Sequence, residues 1–95
     1  MKLFDLTGKV AVITGASSGI GARAAVAYAE AGADVAILAR RLEKLRDVEE
    51  TVEKLGRKAL AVQCDVTSEE SVKAAMEKVR EEYGRIDILF NNAGV

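Results

Sequence analysis

The sequence predicts an α/β protein built as an open, doubly wound parallel sheet. Three observations carry this: four short, apolar, β-branched runs, stretches of helical periodicity between them, and a strand-then-helix alternation at about 25-residue intervals without proline or linker. Such alternation implies β-α-β units joined by right-handed crossovers. The expected strand order is 3-2-1-4, with the first two helices on one face and the third on the other. Ninety-five residues suit a single small domain spanning 1–95, with a correspondingly limited core.

Residues 9–14 (KVAVIT) read as the first strand, β-branched and apolar enough to be buried on both faces. An alanine-rich helix follows over 18–31 with Gly32 as its stop, and its small side chains allow close approach to a sheet. The second strand is 34–39 (DVAILA). Leu42, Leu45, Val48, Val52 and Leu55 then recur at helical spacing up to Gly56, which predicts one amphipathic helix. Its outer face, with Glu43, Lys44, Arg46, Asp47, Glu49, Glu50, Glu53 and Lys54, reads as solvated surface carrying i,i+4 pairs.

The third strand is 58–64 (KALAVQC). Thr67 three residues before Glu70 reads as a capping box opening a third helix, whose apolar stripe is Val72, Ala75, Met76, Val79 and Tyr83, with Gly84 as its stop. Residues 86–90 (IDILF) form the fourth strand, followed by NNAGV.

Composition narrows the function classes. The formal charge is −1, which gives no broad attraction to nucleic acid or an anionic membrane. The longest uncharged stretch, 10–22, is too short to span a bilayer, and Asp5 stands where a secretory signal would need apolar residues. The cytoplasm is therefore the expected compartment. With one cysteine and no histidine, neither an internal disulfide nor a zinc cluster is expected, and Cys64 reads as a small core residue.

The stretch TGASSGIG, residues 14–21, joins the first strand to the first helix with three glycines. In a doubly wound sheet a ligand sits at the carboxyl ends of the strands where their order reverses. Backbone N–H groups and the positive end of the helix there can hold a phosphate, and missing side chains let a pyrophosphate approach. Gly15, Ser17, Ser18, Gly19, Ile20 and Gly21 are accordingly candidate contacts, with the two serines as hydroxyl donors. The bland alternative is a tight turn that binds nothing. The position between a strand and a helix, inside a β-α-β unit, favours a dinucleotide. A mononucleotide P-loop would need Gly-Lys-Ser/Thr, whereas Gly21 is followed by Ala22-Arg23.

At the end of the second strand an acid would bind the ribose of NAD, but this chain has Ala39-Arg40-Arg41. Two guanidiniums suit a 2′-phosphate, so NADP is expected in preference to NAD. For Arg41 the alternative is that it merely starts a surface helix.

Taken together, TGASSGIG, Cys64-Asp65-Val66-Thr67, Asn91-Asn92-Ala93-Gly94 and the entry Leu6-Thr7-Gly8-Lys9-Val10 resemble the N-terminal cofactor-binding half of the classical short-chain dehydrogenase/reductase family. The likeness covers the whole chain and implies a Rossmann-like sheet of four strands and three helices, half of the full fold. It also implies that Asp65 and Val66 meet the adenine ring. Asn91, Ala93 and Gly94, on the same ground, line the cofactor cleft beside the ribose and help join the central strands. Asp65 could instead simply end the third strand and lead into the next helix.

The family's chemistry uses a tyrosine, a lysine four residues later and a serine. Here Tyr28 is followed at that spacing by Gly32 and Tyr83 by Asp87, and both tyrosines fall in predicted helices away from the cleft. Asn91 and Asn92 do not titrate near neutral pH and cannot replace a general acid. No catalytic residue and no metal ligand is therefore assigned. IDILF also reads as a strand buried on both sides with nothing following to pair with it. The expectation is an excised or engineered portion of a larger dehydrogenase, binding NADP(H) without turnover. Its partners would be the cofactor and either a second copy or a complementary C-terminal half, engaged through the fourth strand.

Overall fold

The computed structural model of the chain describes residues 5–17 and 19–92. Its elements run β1 (Val10–Thr14), α1 (Gly19–Glu30), β2 (Asp34–Ala39), a 3₁₀ turn (Leu42–Leu45), α2 (Arg46–Lys54), β3 (Ala59–Gln63), α3 (Glu69–Tyr83) and β4 (Ile88–Asn91). All strand pairs are parallel, and the sheet order is β3-β2-β1-β4, as expected.

Alternating residues of β1 and β2 separate the two faces, as the two-residue period of a strand requires. Ala11, Ile13, Val35 and Ile37 point to the α1/α2 side, where they pack with Ala25, Ala29, Val48 and Val52. Val10, Val12, Ala36 and Leu38 point to the α3 side, against Ala75 and Val79. Cys64 is buried in this second cluster, consistent with a small core residue. The helices thus divide two and one between the faces. Ala25 and Ala29 lie one turn apart on α1, and their small size brings that helix onto the strands.

Four details differ from the sequence expectation. The single helix expected from Leu42 is a 3₁₀ turn followed by α2, and among the described residues no ion pair joins two side chains of that outer face. Among the described residues the ion pairs are Arg57–Asp34 and Arg85–Asp87. The cap of α3 is Ser68, whose Oγ accepts the Ser71 amide, because Thr67 is engaged by Asp65 instead. β4 begins at Ile88: the Asp87 carboxylate accepts the Val10 N–H over 2.9 Å, so a side chain takes the place of the strand carbonyl there. Finally, β4 is only half buried, and Leu89 is 55% exposed, because β4 stands at the edge of the described sheet, paired only with β1.

The predicted entry segment packs against the end of α1: the Leu6 amide donates to the Ala31 carbonyl over 2.8 Å. Among the described residues no helix is long and apolar enough to cross a membrane.

Candidate functional site: a cleft at the carboxyl ends of the strands

β1, β2 and β3 all point their carboxyl ends at one cleft of about 690 Å³. That volume lies within the range of about 300–1,000 Å³ usual for small-molecule sites. Gly15 and Ser17 line it from the loop after β1. Leu38 to Arg41 and Lys44 line it from the end of β2 and the 3₁₀ turn, and Cys64 to Thr67 from the end of β3.

The loop after β1 is held in place before any ligand arrives. The Ala16 amide donates to the Leu38 carbonyl over 3.2 Å, tying it to β2. Gly15 and Gly19 have φ of +62° and +55°, a left-handed conformation that costs other residues free energy. A Cβ added at Gly19 would meet nothing within 4 Å, so the chain is bare there towards open space. At Gly21 the reason for glycine is different: the residue is buried, and its missing side chain lets α1 lie against the Gly15 carbonyl and the Asn92 side chain.

The first turn of α1 has no acidic residue, whereas α2 carries Asp47 and Glu49 in its first turn and α3 carries Glu69 and Glu70. The positive end of α1 is thus uncompensated by its own side chains, which suits an anion.

On the far side Arg40, Arg41 and Lys44 face one carboxylate, Asp65, so the cleft lining is net positive. Asp65 Oδ1 accepts both the Thr67 hydroxyl (2.6 Å) and the Thr67 amide (3.0 Å). These bonds hold its carboxyl below the usual carboxylate range, against a small effect of burial, and Arg40 adds to the lowering. Asp65 is therefore an acceptor at neutral pH, with Oδ1 already engaged. The end of β3 is thereby a tight turn, and Gln63 Nε2 braces it to the Arg40 carbonyl over 3.0 Å.

A third set of bonds joins β1 to β4. The Thr14 hydroxyl donates to Asn91 Oδ1 (2.8 Å) and accepts the Asn92 amide (3.0 Å), while Asn92 Nδ2 donates to the Gly15 carbonyl (3.3 Å). Asn91, at the carboxyl end of β4, is tied to Thr14 of β1 and so joins the central strands. Ile20, 67% exposed, lies in the first turn of α1. Ser18, Ala93 and Gly94 lie outside the described residues. Neither tyrosine is at the cleft: Tyr28 packs edge-on against Phe90, and the Tyr83 hydroxyl donates to the Val35 carbonyl.

Comparison with known proteins places this arrangement. The family model described as short chain dehydrogenase matches residues 9–95. The chain belongs to this family. General stress protein 39 of Bacillus subtilis is 50% identical over 92 residues, which are 94% of this chain and 32% of that protein. The L-sorbose reductase of Gluconobacter frateurii, solved with NADPH and L-sorbose, superimposes with a TM-score of 0.90 at 44% identity, covering 97% of this chain and 35% of that one. An NAD⁺-bound xylitol dehydrogenase gives 0.90 at 42%, covering 95% and 35%. The chain spans about a third of the length of most curated relatives it matches.

Sequence reasoning reached the glycine loop, the arginine pair and Asp65-Val66, and the fold brings the described members of these three groups to one end of the sheet. Two features lie beyond it: Lys44, on the face expected to be solvated, also lines the cleft, and Thr14 bridges to Asn91 and Asn92. The Arg41-x-x-Lys44 spacing was the available signal for the first; for the second, nothing short of the β1–β4 register gives it.

Proposed function

We propose that this short-chain dehydrogenase chain, as one domain over residues 1–95, is the dinucleotide-binding portion of an oxidoreductase and takes NADP(H) in preference to NAD(H). The observation that carries this reading is the lining of the cleft: Arg40 and Arg41 follow β2 at the position where a ribose-binding carboxylate would repel a 2′-phosphate. The relatives solved with NADPH and with NAD⁺ support a nicotinamide dinucleotide as the ligand class. Bound there, the cofactor supplies a hydride to or from a carbonyl or alcohol.

The chain's own residues divide the holding of it. Gly15, Ser17, Ser18, Gly19, Ile20 and Gly21 form the pyrophosphate turn, with Gly21 acting through packing. Arg40 and Arg41 meet the 2′-phosphate, and Asp65 and Val66 meet the adenine. Asn91, Ala93 and Gly94 flank the ribose near the nicotinamide. No residue of this chain is assigned to proton transfer, so binding without turnover is expected.

Calorimetric titration with NADPH and NADH tests this reading. NADPH binds more tightly to the natural chain, and Arg40→Asp weakens NADPH by about 10- to 100-fold while leaving NADH no weaker, since a charge-assisted bond is worth about 1.5–3 kcal/mol. Equal affinity for the two cofactors in the natural chain would refute the preference.

A second reading rests on Leu89, which is 55% exposed on an edge strand of the described sheet. An apolar residue on an edge strand invites pairing. Self-association, or union with a complementary C-terminal half that restores hydride transfer, would follow. Light scattering that finds a strict monomer at high concentration counts against self-association, and mixing with that half tests the other.

A further inference from the structure

We propose that Lys44 is a specificity-determining residue of the cleft, a third cation that reads the 2′-phosphate together with Arg40 and Arg41. The inference rests on the NADP(H) reading above and adds to it a residue that helical periodicity places on the solvent face.

The geometry comes from the 3₁₀ turn. Arg41 is extended (φ −121°, ψ 119°) and leads directly into Leu42–Leu45, and the Lys44 amide donates to the Arg41 carbonyl over 3.2 Å. That bond closes the first turn back onto Arg41, and both Arg41 and Lys44 line the cleft. Leu45 is fully buried and anchors the turn in the α1/α2 core. Of the charged residues nearest in sequence, Glu43, Arg46 and Asp47, none lines the cleft, which singles out Lys44.

The charge of this cluster is available to a ligand. The ion pairs among the described residues are Arg57–Asp34 and Arg85–Asp87, and the cleft's own carboxylate, Asp65, is engaged by Thr67. A phosphate monoester carries about −1.5 to −2 at neutral pH. Two planar guanidiniums supply directional bonds, while an ammonium on a flexible stem supplies a point charge that follows the phosphate. The expected site is therefore a fork completed by a mobile cation.

The test uses 2′,5′-ADP and 5′-ADP, which differ only in the 2′-phosphate, titrated into the natural chain, Lys44→Met and Lys44→Arg with affinity read by NMR or calorimetry. The proposal expects Lys44→Met to weaken 2′,5′-ADP about five- to tenfold and 5′-ADP less than twofold, and to flatten the salt dependence of 2′,5′-ADP binding. Lys44→Arg should restore most of the loss. If the natural chain prefers 2′,5′-ADP and Lys44→Met keeps that preference intact, Lys44 has no such role and the NADP(H) reading survives. If Lys44→Met weakens both ligands equally, Lys44 is not a reader of the 2′-phosphate. If the natural chain does not distinguish the two ligands, the NADP(H) preference falls, and the role of Lys44 with it.

Discussion

Gly21 and Gly15 meet backbone to backbone: a Cβ placed on Gly21 would fall inside contact distance of the Gly15 carbonyl oxygen and 2.9 Å from Asn92 Nδ2. The helix that follows the glycine turn is thereby locked onto the strand that precedes it. Gly21→Ala must push α1 away from β1, an overpacking that costs about 1–3 kcal/mol. In a domain of this size each kcal/mol lowers Tm by about 4–8 °C. Thermal unfolding followed by circular dichroism checks this, and an unchanged Tm would show that the contact relaxes freely.

Thr14 joins β1 to β4 through one hydroxyl that both donates and accepts. Thr14→Val keeps the shape and removes the hydroxyl, depriving Asn91 Oδ1 and the Asn92 amide of that partner. The expected loss is about 1–3 kcal/mol, with faster hydrogen exchange at Asn92, and Thr14→Ser should recover most of it. Equal exchange at Asn92 in all three proteins would remove Thr14 from this role.

Acid should weaken the same junction from its other end. The Arg85 guanidinium beside Asp87 holds that carboxyl below the usual range, and the Val10 amide bond lowers it further. A lowered folded pKa contributes stability that is present above the unfolded value, about 3.9, and is lost as pH falls through the folded one. Urea midpoints measured from pH 7 down to pH 2 should therefore drop most steeply below about pH 4, and Asp87→Asn should start lower and fall less.

Alkali acts on Tyr83. Partial burial pushes its phenol above the ordinary tyrosine range, aided by Asp34, Glu82 and Glu53. A raised folded pKa contributes stability that is complete below the unfolded value, about 10, and is lost as pH rises towards the folded one. The urea midpoint should hold to about pH 9, fall as the pH rises past about 10 in the natural chain and fall less in Tyr83→Phe, with Tyr83 titrating late by absorbance.

Much of this architecture is legible in the sequence because its signals are local. β1 and β2 are β-branched runs short enough to be strands, and the glycines after each helix mark its end. The alternation then dictates parallel pairing, and with the crossover rule it fixes the order. What escaped depends on neighbours distant in the chain. Thr67 is a sound cap by spacing, but Asp65 captures its hydroxyl and passes the cap to Ser68. The run from Leu42 keeps one apolar rhythm, yet its first turn tightens to 3₁₀ with Leu45 in the core, and Lys44 lines the cleft. Asp87 delays β4 through a bond to Val10, 77 residues away. The glycine loop and the arginine pair were readable because each lies next to its own strand end.

The central claim is that the turn after β1 and the cations after β2 together hold a dinucleotide through its phosphates. It is tested most directly by following the backbone amide signals of Gly15, Ser17, Gly19, Arg40 and Arg41 in an NMR titration with NADPH. These signals should shift together along one saturating curve, while amides at the opposite end of the sheet, such as Lys9 and Arg57, stay in place. Signals at both the turn and the arginines that remain unmoved at millimolar NADPH would contradict it.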